Sequence, residues 1–369
     1  MNSALFCKSF LALSLAATLA GCASVASDGG VNALQQRMAS LPKQSASPMT
    51  LPRPGQDHSS EIAQLLTGPL SADAAVRVAW LNNPGLQVVL GNEGVNISDL
   101  TPEQQPAKLR ASQQLTRLST ETRKAWFNAV GAAQTVGALT QAQDAAEVSG
   151  DLARRLTQAG NWSRLQQARQ QVHLIEAASD LSRAQQAAFS AREKLVVLLG
   201  LWGASAQIEL PTQLPALPAQ PRDMPDVETR ALQAREDIRI ATLLWQRKEA
   251  ERRLTKPSEL WDAMGDAAKL RQTAIQVRSH ARESYQRYRG QYDLAKRQQD
   301  EMLPLRQFIS DEMLLRYNGM LSSVFDVLAD ARAQALATHS AIQATRDFWL
   351  ADADLQSLLA GAPTQDTTP

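Results

Sequence analysis

The feature that most constrains this chain is that one unit is written twice, on either side of a proline-rich break. Pro211, Pro215, Pro218, Pro221 and Pro225 crowd into residues 211–225, a stretch that cannot be helical throughout because proline lacks the amide proton and clashes with the preceding turn. The flanking segments match in order. Ala79-Trp80-Leu81-Asn82-Asn83-Pro84-Gly85-Leu86 lies over Ala231-Leu232-Gln233-Ala234-Arg235-Glu236-Asp237-Ile238. Gly160-Asn161-Trp162-Ser163 lies over Gly319-Met320-Leu321-Ser322, each with a Gly-x-x-Ser spacing, and both units close on a related phrase, Leu198-Leu199-Gly200 and Leu359-Ala360-Gly361. The organisation expected is a leader over 1–21, a flexible tether over 22–69 and a first repeat over 70–210. A linker over 211–225, a second repeat over 226–361 and a disordered tail over 362–369 follow.

Within each unit the hydrophobic period is helical. Leu115, Leu118, Thr122, Ala125, Ala129, Ala133 and Val136 alternate threes and fours, and so do Ala267, Leu270, Ala274, Val277, Ala281, Ser284, Tyr288, Tyr292 and Ala295. Such seams of small residues let helices approach closely. The run from Ala107 to Gln158 predicts a helix of roughly 75–80 Å at 1.5 Å per residue, a length suited to a rod or tube. At Gly160 and Gly319 each long helix should turn back. Glycine suits a left-handed helix end, and Ser163 or Ser322 can cap the returning helix. Pro304 should kink the second long helix shortly before its tip. The fold class expected is mainly α, built from duplicated long antiparallel helical hairpins.

Composition narrows the function. Thirty-eight basic against 37 acidic residues remove the electrostatic reason to expect a nucleic-acid partner. His58, His173, His280 and His339 are scattered without metal-ligand spacing, so no metal or cofactor is expected. Met302, Met313 and Met320 gather near the second tip and read as core packing. Tyr285, Tyr288 and Tyr292 with Arg282, Arg287 and Arg289 read as a mixed, solvated helix face. Nucleophile elbows, phosphate loops and dinucleotide fingerprints are missing, which argues against an enzyme.

The first segment reads as an address. Lys8 precedes the apolar run Phe10-Leu11-Ala12-Leu13-Ser14-Leu15-Ala16-Ala17, the pattern of a secretory signal. It ends in Leu19-Ala20-Gly21-Cys22, which resembles the bacterial lipobox. The resemblance implies cleavage before Cys22 and lipid attachment to its thiol, with Ala23 and Ser24 implying the outer membrane. With Cys7 in the leader and Cys22 acylated, no thiol would remain for disulfides or catalysis.

The repeat as a whole resembles the TolC family of outer-membrane efflux proteins. The likeness is carried by Leu70-Ser71-Ala72-Asp73-Ala74-Ala75-Val76 through Asn82-Asn83-Pro84-Gly85-Leu86, by Ala159-Gly160-Asn161-Trp162-Ser163-Arg164-Leu165 and Leu198-Leu199-Gly200-Leu201-Trp202, and by Leu315-Arg316-Tyr317-Asn318-Gly319-Met320-Leu321. It implies a homotrimeric periplasmic tube in a tripartite assembly with an adaptor and an inner-membrane pump. Gly160, Asn161, Ser163, Gly319, Met320 and Ser322 would then be tip contacts for the adaptor. The sequence departs from the family where membrane strands should lie, after Leu86 and after Arg252. Neither place holds two alternating segments of about 9–11 residues. The barrel strands are therefore expected to be absent or vestigial, with attachment resting on the Cys22 lipid. A barrel-less scaffold or assembly lipoprotein with no transport of its own is the alternative.

Overall fold

Four long helices laid side by side make the body. The computed structural model describes residues 57–97, 105–235, 237–239, 241–242, 245–246 and 257–362. The leader, Cys22, most of the tether and residues 363–369 lie outside the described residues. The elements are α1 (Ser59–Leu65), α2 (Ala72–Asn82), α3 (Pro84–Ile97), α4 (Gln105–Gln158) and α5 (Arg164–Leu199). After the linker come α6 (Val227–Ala234), α7 (Pro257–Arg297), α8 (Leu303–Asn318) and α9 (Val324–Leu359). α4 runs for 54 residues, about 80 Å at the helical rise, and α5 returns antiparallel to it over 36. Neighbour relations place the helices in the order α5, α4, α9, α7–α8, so the two hairpins form one layer with α4 and α9 in the middle.

Small residues allow that packing. Ala111, Leu115, Leu118, Thr122, Ala129 and Val130 are buried on α4, and Val277, Ala281, Tyr288, Tyr292 and Ala295 on α7, which reproduces the seams read from the sequence. Ala133 departs from the seam and is exposed. Each repeat has its own core, and Trp349 of α9 packs against both. Its ring stacks on Phe127 at 5.5 Å and meets Phe348 edge-on at 5.0 Å, joining the two halves through aromatic contact.

The linker is a strap. Leu214 donates its N–H to the Gln134 side chain, Pro215 accepts from Trp349 Nε1, and Pro218 and Ala219 accept from the Tyr292 hydroxyl. Tyr288 accepts from the Arg222 amide, while Tyr285 accepts from that of Met224 and donates to Asp223. The tyrosines therefore do not form the solvated face their arginine neighbours suggest. Tyr288 is 1% exposed and Tyr292 5%, because a proline-rich strap with unsatisfied backbone groups needs donors and acceptors from the surface it crosses.

At Pro304, where a kink is expected, the structure shows a change of winding. Residues Gln298–Met302 form a π-turn directly ahead of it, which opens the ladder where proline supplies no donor and its ring would meet the carbonyl four residues back. α4 of the first repeat contains no such break.

No strand occurs among the described residues, and the segment after Leu86 is helical to Ile97. The stretch 98–104 between α3 and α4 lies outside the described residues, as does 253–256 after Arg252. No helix among the described residues is long and apolar enough to cross a membrane.

Candidate functional site: the paired hairpin tips and the uncovered face

The tips are built by helix-capping chemistry. At the first, Gly160 takes the left-handed conformation (φ 78°) and Asn161 N–H returns to Leu156 O at 2.9 Å. Ser163 then caps α5: its Oγ accepts from Gln166 N–H at 3.2 Å, and the Gln166 side chain accepts from Ser163 N–H at 2.9 Å. This reciprocal capping box satisfies two otherwise orphaned donors.

The second tip repeats the geometry one residue later than the Gly-x-x-Ser match suggests. Gly319 has an ordinary φ of −81°, and Met320 takes the left-handed position at φ 59°. Leu321 N–H bonds Arg316 O at 2.8 Å, the counterpart of Asn161. Ser323, not Ser322, is the cap: it accepts from Asp326 N–H at 3.3 Å, and Asp326 accepts from Ser323 N–H at 2.8 Å. A capping box requires an acceptor three residues after the serine. From Ser322 that residue is Phe325, which has none; from Ser323 it is Asp326. That spacing was the sequence signal for the correct register. The Ser323 N–H and hydroxyl bonds hold the Asp326 carboxyl below its ordinary pKa.

The structure brings the two tips together through residues the sequence reading left out. Trp162 of the first turn stacks on Phe325 of the second at 4.1 Å, with the rings 23° apart. Nearby, Arg332 of α9 bonds His173 Nδ1 at 2.9 Å and Glu176 at 3.3 Å on α5. Met320, 94% exposed, and Leu321, 74% exposed, project from this end. Met302, at the end of the π-turn, is exposed as well; these two methionines are thus not core. Among the described residues no three His, Cys, Asp or Glu converge as a metal site.

Away from the tips, each returning helix ends against the start of its own repeat. Gly200 closes α5 at φ 66°, where a Cβ would sit 2.4 Å from Asn82 O. The Asn82 amide donates to Leu199 O and Gly200 O, and that of Asn83 to Leu198 O, satisfying carbonyls that a helix end leaves open. Gly361 closes the second repeat at φ 81°, with a Cβ position 2.3 Å from Ala234 O. Arg235 replaces Asn83 there; it is buried and holds Asp237 at 2.8 and 2.6 Å. Burial alone would push the Asp237 pKa up, but the Arg235 hydrogen bond and charge and the Ile238 N–H together hold it below the usual value.

The layer has two unlike faces. The linker and α2 cover one, where Trp126 Nε1 reaches Leu70 O at 2.7 Å and Trp80 Nε1 reaches Ser119 at 2.8 Å. The other is open and forms a groove of about 1980 Å³ to which α4, α5, α7 and α9 all contribute polar and charged side chains. Lys124 and Trp126 lie two residues apart and so point to opposite sides of α4, Lys124 into the groove and Trp126 under the cover.

At the level of sequence, no family model and no curated protein matches the chain. Its structure is similar to that of the outer-membrane channel OprN, with a TM-score of 0.61 at 13% identity over 87% of this chain and 96% of that one. It is also similar to the outer membrane protein VceC of Vibrio cholerae, with a TM-score of 0.56 at 12% identity over 75% and 76%. The outer membrane channel CmeC of Campylobacter jejuni matches with a TM-score of 0.52 at 11% identity over 77% and 70%. These neighbours are channel proteins rather than enzymes. What is shared at such identity is the architecture: two helical hairpins in one layer, without strands among the described residues, give this chain the fold of the TolC-type outer-membrane channels.

Proposed function

We propose that the chain forms or joins the periplasmic helical conduit of a tripartite efflux assembly, as a homotrimer held at the outer membrane by lipid on Cys22. The observation that carries this reading is the layer itself. Its hairpins are covered on one face, open and polar on the other, and share the fold of outer-membrane channels over 87% of the chain. A layer with one wet face closes into a tube when copies join edge to edge, because the polar groups then line water while apolar edges are buried. The exported solute would be a small molecule or metal ion.

The tips supply the docking end. Gly160, Asn161, Ser163, Gly319 and Met320 are exposed and Ser322 is half-buried; together they would meet the adaptor of an inner-membrane pump. Cysteines placed at Asn161 and Leu321, which leave both capping serines intact, should crosslink to a co-expressed adaptor. Capture no greater than that of a cysteine at exposed Ser205, beyond the distal end of α5, would overturn the docking role. Fractionation of a Cys22→Ser strain checks the anchor: the protein should leave the outer-membrane fraction.

One observation favours a second reading. α3 is helical where strands were sought, and a chain without a closed barrel cannot satisfy its backbone in lipid. A scaffold lipoprotein would keep adaptor contact yet leave solute export unchanged when deleted.

A further inference from the structure

The open face of the layer carries a pattern that the conduit reading does not itself require. Arg110, Arg117 and Lys124 follow one another at intervals of seven residues along α4, and all three line the groove. At the helical rise they form a line with a cationic group roughly every 10 Å. Lys194 of α5, Arg287 of α7 and Arg346 of α9 line the same groove from the flanking helices. Six cationic side chains thus face four acidic ones, Glu121, Glu193, Glu283 and Asp354.

The pairings show how these charges are held. Arg117 meets Glu121 at 2.8 Å, Lys124 meets Asp354 at 2.7 Å, and Arg287 meets Glu283 at 2.9 Å. All three pairs are partly or largely exposed, and Arg346 is met by Asp347 at 2.7 Å beside the lining. Exposed pairs of this kind are screened by water and add little stability, so a mobile anion can exchange with the resident carboxylate at little cost. Gln113, Gln114, Asn128 and Ser190 add neutral hydrogen-bonding groups between the charges, and Ala125, Ala191, Val197, Leu198 and Leu358 add apolar surface against which the carbon frame of an organic anion can rest.

We infer that the groove is a cationic ladder, centred on Arg110, Arg117 and Lys124, that selects organic anions as the solutes of the conduit. The inference rests on the conduit reading for its biological meaning, but the ladder's own affinity is a property of the purified chain. Three copies closing around one axis bring three ladders to a common water-filled space, where low-dielectric walls focus their field on the passing solute.

The test uses the full-length purified protein and two fluorescent probes of opposite charge, the polyanion calcein and the cation ethidium. Polarisation should report calcein binding that weakens steeply with salt, since the contacts are screened, and ethidium binding at least tenfold weaker. Arg117→Gln with Lys124→Gln should lower calcein affinity roughly tenfold, and Arg117→Glu with Lys124→Glu should reverse the preference. Circular dichroism and size-exclusion profiles identical to wild type ensure that the variants are folded. Equal binding of the two probes by the wild-type chain, or calcein binding unaffected in both folded double variants, overturns the ladder.

Cellular dye retention separates this inference from the reading beneath it. If deletion of the chain raises retention of both dyes equally and charge reversal shifts neither, the conduit stands and the ladder fails. If the purified chain shows the ladder's preference but deletion changes no retention, the conduit fails and the anion site stands.

Discussion

The two repeats reach the same shape by unequal means. The first is tightly specified: α4 is unbroken, a glycine takes the left-handed tip position, and two asparagine amides cap the end of α5. The second has a π-turn ahead of Pro304, a methionine in the left-handed position, and an arginine–aspartate pair where the asparagine caps would be. A duplicated unit needs only equivalent backbone geometry, and different side chains satisfy the same orphaned groups. The second repeat stores the strain.

The largest effect should come from hollowing out the core of the second repeat. Phe348 is 1% exposed and touches Tyr288, Tyr292 and Trp349. Phe348→Ala should cost about 3–5 kcal/mol, read as a lower denaturant midpoint. Next come the two helix-end glycines, where the repeats are predicted to behave alike. Gly200→Ala and Gly361→Ala each force a Cβ to within 2.4 and 2.3 Å of a carbonyl oxygen at positive φ, and each should cost on the order of 3 kcal/mol. Gly203→Ala is the control. Its φ is also positive but nothing lies within 4 Å, so only about 1 kcal/mol should be lost. A Gly200 variant as mild as the Gly203 variant would show that the joint is loose.

The asymmetry of the caps is tested by Asn83→Ala. It removes both the bond to Leu198 O and the acceptor for Leu86 N–H and should cost about 1–2 kcal/mol. The tips should respond with opposite signs. Met320→Gly relieves a left-handed methionine and should stabilise by about 0.5–1 kcal/mol, whereas Gly160→Ala should destabilise by about 1 kcal/mol. Thermal melts of both variants suffice, and changes of the same sign would contradict the assigned tip register.

The smallest effect is a pH dependence centred on His339 of α9. Burial pushes the His339 pKa down, Arg346 adds to this, and Asp180 opposes it. The folded state therefore binds the proton more weakly than the unfolded chain. His339 contributes full stability above its unfolded value of about 6.5, and this is lost as pH falls through the lower folded value. His339→Gln should flatten the stability profile below about pH 6.5, measured by urea unfolding.

Helical period, breakers and caps are local properties, and they were legible for that reason. The seams on α4 and α7, the turn at Gly160 with its Ser163 cap, the non-helical linker and the disturbance at Pro304 all follow from one stretch of chain at a time. The second tip was misread by one residue because two glycines were aligned by identity, although the acceptor at Asp326 marked Ser323 as the cap. The tyrosines were misread for a different reason: nothing local tells Tyr288 and Tyr292 that a proline-rich strap will cross them.

Two long helical hairpins with a break between them are written into the chain locally, because periodicity and backbone restriction act within a few turns. Long-range packing sets the rest: α4 and α9 sit in the middle of the layer, Trp162 meets Phe325 across the tips, and the strap leaves one face open. Those outcomes depend on which surfaces meet across more than a hundred residues of chain, where shape and burial choose among partners that local chemistry leaves equivalent.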